Sequence, residues 1–137
     1  MTPGNRYALL SLLVGALHCA SARAAEDASG CGHTLASAPK TVQATLRPAY
    51  ADSAHADLQA LATRMNGLML EIGRCQIMSQ DVDNASADKQ HDIAEWQSLN
   101  QWMYRLTNFV DQSARGDHHM DWKREFELFQ DVYELPR

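Results

Sequence analysis

Apolar residues recur along much of this chain at alternating intervals of four and three. The run is plainest at Ala54, Leu58, Leu61, Met65, Leu68, Ile72 and Cys75. That is a two-position heptad stripe held for three heptads, which predicts an amphipathic helix with Asp52 or Ser53 as its cap. Cys75 sits on the stripe, so its sulfur is expected to face the interior. Gly67 and Gly73 fall off the stripe. Each would weaken an isolated helix by about 1 kcal/mol, or would let a neighbour approach closely.

Asp81-Val82-Asp83-Asn84 breaks the pattern and predicts a turn, after which Ser86 is placed to cap a helix running to about Arg115. Counting about 100° per residue from Ile93 gathers Leu99, Trp102, Met103, Leu106, Phe109 and Val110 into an arc of about 120°, with Trp96 on its shoulder. Gly116 supplies the left-handed stop expected just past a helix end. Asp117 is then read as the cap of a last helix, in which Trp122, Phe126, Phe129 and Tyr133 recur at four, three and four before Pro136 closes it. Towards the N-terminus, Pro39 opens a short helix through Leu46, and Pro48 ends or kinks it because the residue before a proline is pushed out of the helical region. Residues 26–38 show no period. No strand-like alternation and no repeat appears. The reading is all-α: a small antiparallel bundle of three main helices plus a short N-terminal one.

The first residues carry a different signal. Arg6 is followed by the uncharged run Ala8 to Leu17, and Ala22-Arg23-Ala24 sets small residues where a signal peptidase inspects the chain. This three-part layout predicts a secretory signal peptide over residues 1–24, with an apolar run too short for a bilayer of about 30 Å. Cys19 follows His18 rather than a small residue, so lipidation is not expected. The short signal and its ending look bacterial, and the expected location is the periplasm or the outside of the cell. The domain organisation is then signal peptide 1–24, extended segment 25–38 tethered by Cys31, and helical domain 39–137, with no membrane span in the mature chain.

Export changes the meaning of charge and cysteine. The full chain carries 12 Lys and Arg against 17 Asp and Glu, a net charge of -5 with His neutral. The signal takes two arginines and no acid, leaving about -7 on 113 residues. That sign argues against nucleic acid and against anionic lipid, and suits a basic protein partner or simple solubility. Of three cysteines, Cys19 leaves with the signal. Cys31 and Cys75 remain and, in an oxidising compartment, are expected to pair. The bridge would close a loop of about 45 residues and stabilise the fold by about 4 kcal/mol on the chain-entropy model.

Few residues suggest chemistry. The start of Asp81-Val82-Asp83 resembles a calcium loop, but Ser86 stands where glycine is required and Asp92 where a bidentate Glu is required. His118-His119-Met120, flanked by Asp117 and Asp121, is the most suggestive run of metal ligands, and His and Met together suit copper. Neighbouring helical side chains diverge by about 100°, so an ion there would need a ligand from elsewhere, such as His91 or His33. The plainer reading is a polar first turn. Glu95, one turn from His91 at the edge of the apolar arc, could be a desolvated acid–base group or an ordinary surface pair. Methionines and three tryptophans in a bundle allow a non-covalent haem, although no C-x-x-C-H is present and methionine at helical spacing usually fills a core.

Eight aromatic residues fall between Trp96 and Tyr133, and Tyr104 lies on the polar side of its helix. An exposed aromatic is a natural contact point for a partner protein. The leading expectation is an exported binding protein without catalytic activity, of the inhibitor, immunity or secretion-accessory kind. It would use an acidic, aromatic-bearing face around Tyr104, Asp117 and Asp121. The alternative is a metal or haem carrier using His91, His118, His119 and Met120. An enzyme comes last, since no nucleophile–base signature, zinc-ligand spacing or phosphate loop is present.

Overall fold

The computed structural model describes residues 31–80 and 87–137, without the side chains of Gln80 and Asp88. The expected signal peptide, residues 25–30 of the extended segment, the calcium-like turn at Asp81–Asn84 and the Ser86 cap lie outside the described residues. Among the described residues the regular structure is four α-helices: α1 (Ala38–Ala51), α2 (Leu58–Gln80), α3 (Ala87–Ala114) and α4 (Trp122–Val132). Among the described residues there is no strand.

The periodicity that predicts each helix also places it. Leu61, Met65, Leu68, Ile72 and Cys75 of α2 are buried against Leu99, Met103, Leu106 and Val110 of α3, and this is the most extensive pairing in the fold. It runs antiparallel: Gln76 meets Asn100, while Asn66 and Met69 share a groove with Thr107 and Asp111. α1 docks on α2, α4 docks on α3, and α1 and α4 close on each other. Val42 and Leu46 from α1 and Trp122, Phe126 and Phe129 from α4 complete the same core. Trp102 meets Phe129 edge-on at 6.0 Å, and Tyr50 meets Phe126 at 5.4 Å, so aromatic edges bind α4 to both its neighbours. The all-α antiparallel bundle is therefore the fold.

Three boundaries differ from the sequence reading. α1 does not stop at Leu46 but continues through Pro48 to Ala51. Proline removes the hydrogen bond to Ala44, yet both residues are exposed, so water takes the freed carbonyl. Beyond the proline, Tyr50 hydrogen-bonds Glu127 of α4 and packs on Trp122, which holds the last turn in place.

α2 begins at Leu58 rather than beside Asp52. Asp57 is its cap, accepting the Ala60 amide at 3.0 Å, and Ala54 is exposed outside the helix.

α4 begins at Trp122, capped by Asp121, whose carboxylate accepts the Arg124 amide. Asp117 instead belongs to the end of α3. Gly116 has φ +88° and its amide bonds Ser113, while the Asp117 amide reaches Gln112. This is a Schellman ending, and it leaves residues 117–120 as a turn rather than a helical start.

Candidate interaction surface

The segment before α1 is fixed at several points. Cys31 is bridged to Cys75 with their Cα atoms 5.0 Å apart, the pairing expected from the sequence. His33 Nε2 lies 3.0 Å from Glu71 Oε2 on the next turn of α2. Thr34 and Ser37 then cap one another, each side-chain oxygen accepting the other's amide, and the chain turns into α1. Sequence reading anticipated the bridge but not the His33–Glu71 contact, because a pair separated by 38 residues leaves no local pattern.

The expected metal ligands are dispersed. His91 is exposed near the start of α3, while His118 and His119 are exposed in the turn after its end. From His91 to Ala114 the helix alone rises about 34 Å. Asp117 is engaged by the His119 amide, and Met120 offers its carbonyl to Ser113. Among the described residues, no group of three or more His, Cys, Asp or Glu side chains could hold a metal ion. Glu95 is exposed as well, so it lacks the burial that would mark it as an acid–base group.

The buried carboxylate lies elsewhere. Glu125 is held under Arg105, which donates to it at 2.9 Å and lies 5.5 Å above the Trp102 ring. The hydrogen bond that Arg105 donates to Glu125 raises the arginine's pKa further. It is a structural tie between α3 and α4.

Tyr104 stands out from α3 away from its core-facing stripe, 71% exposed, as its off-stripe position predicts. It does not stand alone. Leu70 and Ile77 of α2 are 67% and 68% exposed, and with Met69, Gly73, Gln76 and Asn100 they line an open groove of about 580 Å³ between α2 and α3. Of the lining residues only Arg74 is charged. Among the described residues, α1 and α4 cover other faces of this helix pair and none covers this one. Sequence analysis missed Leu70 and Ile77 because the core stripe drew attention to its own side of α2. Two apolar residues seven apart, off that stripe, were the available signal.

Asp121 faces a different groove, with Tyr50, Lys123, Arg124 and Glu127. Asp117 and Asp121 are both occupied in holding turns. The three residues read as one acidic, aromatic face are thus not gathered in any single groove among the described residues, and Tyr104 lines two grooves, one whose only charged residue is Arg74 and one with Asp111 and Arg115. Among the described residues no helix is long and apolar enough to cross a membrane. No family model, curated protein or solved structure matches the chain.

Proposed function

We propose that this is an exported, non-catalytic interaction protein that engages a protein helix through the open face of α2 and α3. The observation that carries the reading is the apolar groove itself: Leu70, Ile77 and Tyr104 held in water on rigid helices, where burial would release about 1.5–3 kcal/mol for a fully covered aliphatic side chain. Export is supported by the signal-like N-terminus and by the bridge between Cys31 and Cys75, a linkage that persists in oxidising compartments. Tyr104 is the expected anchor. Asp117 and Asp121 are expected to support the α3–α4 turn and to contribute little to binding.

The test is affinity capture from an oxidising cell extract, using the intact protein beside Tyr104→Ala, Leu70→Ser and Asp121→Asn variants. A protein retained by the intact chain and by Asp121→Asn, but lost with Tyr104→Ala and Leu70→Ser, supports the assigned face. Retention by all four would place binding elsewhere. Mass spectrometry of the processed chain tests export: an unprocessed Met1 terminus with two free thiols would end that part of the reading.

A further inference from the structure

We infer that the second groove beside Tyr104, the one that contains Asp111 and Arg115, is a binding site for a neutral sugar ring. Along α3, Tyr104, Asn108, Asp111 and Arg115 recur at four, three and four, so they share one face of that helix. Asn66 and Met69, one turn apart on α2, form the facing wall. Thr107 lines the same groove and is only 5% exposed, which makes it part of the floor. The neighbouring apolar groove shares Tyr104 and Met69 with this one and none of its polar side chains, so the sugar site does not depend on what the apolar groove takes.

The chemistry of the lining selects the class of ligand. Arg115 Nε lies 3.0 Å from Asp111 Oδ2, so the two charges of the groove balance each other and favour a neutral molecule over an ion. Asn66 Nδ2 donates to the Ala62 carbonyl at 3.0 Å, which leaves its side-chain oxygen to accept. The Asn108 amide and the Thr107 hydroxyl each offer a donor and an acceptor. A sugar hydroxyl also donates and accepts, so it can meet any of these groups. The exposed Tyr104 ring and the half-buried Met69 thioether supply an apolar wall for the C–H face of the ring.

Size and an unpaired hydroxyl point the same way. The groove holds about 270 Å³, just under the roughly 300 Å³ at which sites for drug-sized molecules begin, so it suits one ring. Among the described residues Thr107 Oγ1 is buried and has no hydrogen-bond partner. Buried polar atoms are nearly always paired. One left open under a groove walled by two amides and a carboxylate is a bond for a ligand's hydroxyl to complete.

The experiment titrates glucose, galactose and N-acetylglucosamine into the ¹⁵N-labelled, disulfide-intact chain, followed by amide NMR. At least one sugar is expected to bind with a Kd of about 1 mM, shifting the signals of Asn66, Thr107, Asn108 and Asp111. Thr107→Val and Asn108→Ala are each expected to weaken it about five- to tenfold, the loss of one hydrogen bond. In urea denaturation Thr107→Val is expected to be at least as stable as the parent, since a buried hydroxyl without a partner adds nothing to the fold. A destabilised Thr107→Val would show that the hydroxyl is already paired within the chain, and would overturn the site. So would the absence of shifts with all three sugars at about 20 mM, shifts centred elsewhere, or binding indifferent to both variants. Maltotriose and chitotriose distinguish the source of the ring: a trimer that binds at least about tenfold more tightly than its monomer supports a residue of a glycan chain, and equal binding supports a free sugar.

Discussion

Arg105 closes over Glu125 from the neighbouring helix, its Nη2 donating to Oε1 at 2.9 Å while Nε pairs with Oε2. The Glu125 side chain is 8% exposed and that of Arg105 about half exposed, so the arginine both neutralises the acid and shields it from water. Removing the arginine alone would strand a buried charge. Arg105→Met is therefore expected to cost about 3 kcal/mol, with some of the loss coming from its packing over Trp102 and Phe109. Adding Glu125→Met should recover most of that loss. A urea-denaturation double-mutant cycle measures this coupling, and a double variant that loses the sum of the two single losses would show that the pair does not act as a unit.

The Cys31–Cys75 bridge closes a loop with a sequence separation of 44. Its reduction, or Cys31→Ser, is expected to cost about 4 kcal/mol and to lower Tm by about 15 °C. Thermal melts with and without reductant check it. A shift of only a degree or two would mean that the His33–Glu71 contact and the Thr34–Ser37 turn hold this segment unaided.

Pro48 lies inside α1 with its ring exposed. Pro48→Ala restores an amide for the Ala44 carbonyl without removing any buried contact, so it is expected to raise stability by about 1–3 kcal/mol and to add helical signal in far-ultraviolet circular dichroism. A destabilised variant would show that the proline's fixed backbone angle is needed to bring Tyr50 onto Glu127.

Alkaline pH should weaken the fold through two phenols. The Tyr50 pKa is raised above 10.0, chiefly by its hydrogen bond to Glu127, and the Tyr133 pKa is raised chiefly by burial. Both are acids whose neutral form the folded state prefers. Their contribution is complete below pH 10, where the unfolded phenols would begin to ionise, and is lost as pH rises through the higher folded values. Phenolate absorbance followed alongside circular dichroism is expected to show ionisation accompanied by unfolding. Glu127→Gln should bring the Tyr50 titration down towards 10.0. An unchanged titration would remove Glu127 as the cause.

Much of this architecture was legible from spacing alone. The α2 stripe from Leu58 to Cys75, the α3 arc from Leu99 to Val110 and the α4 run from Trp122 to Tyr133 all turn inward as their periods require, because a helix repeats its face every 3.6 residues whatever it packs against. Gly116 ends α3 for an equally local reason, its positive φ. The boundaries misread were those where local signals competed. Asp52, Ser53 and Asp57 could all cap α2, as Asp117 and Asp121 could both cap α4. Pro48 reads as a stop unless Tyr50 has something beyond it to hold.

The amino-acid sequence by itself determined that the chain is helical and which stripe of each helix is apolar, and it placed Cys75 on the inward stripe of its helix. Those properties follow from residue type and near-neighbour spacing. Tertiary structure decided that Arg105 meets Glu125, that His91 lies a helix's length away from His118, and that Leu70, Ile77 and Tyr104 share one groove, open among the described residues. Such relations depend on the order and direction in which helices pack, and side chains far apart in the chain carry no local mark of the neighbour they will meet.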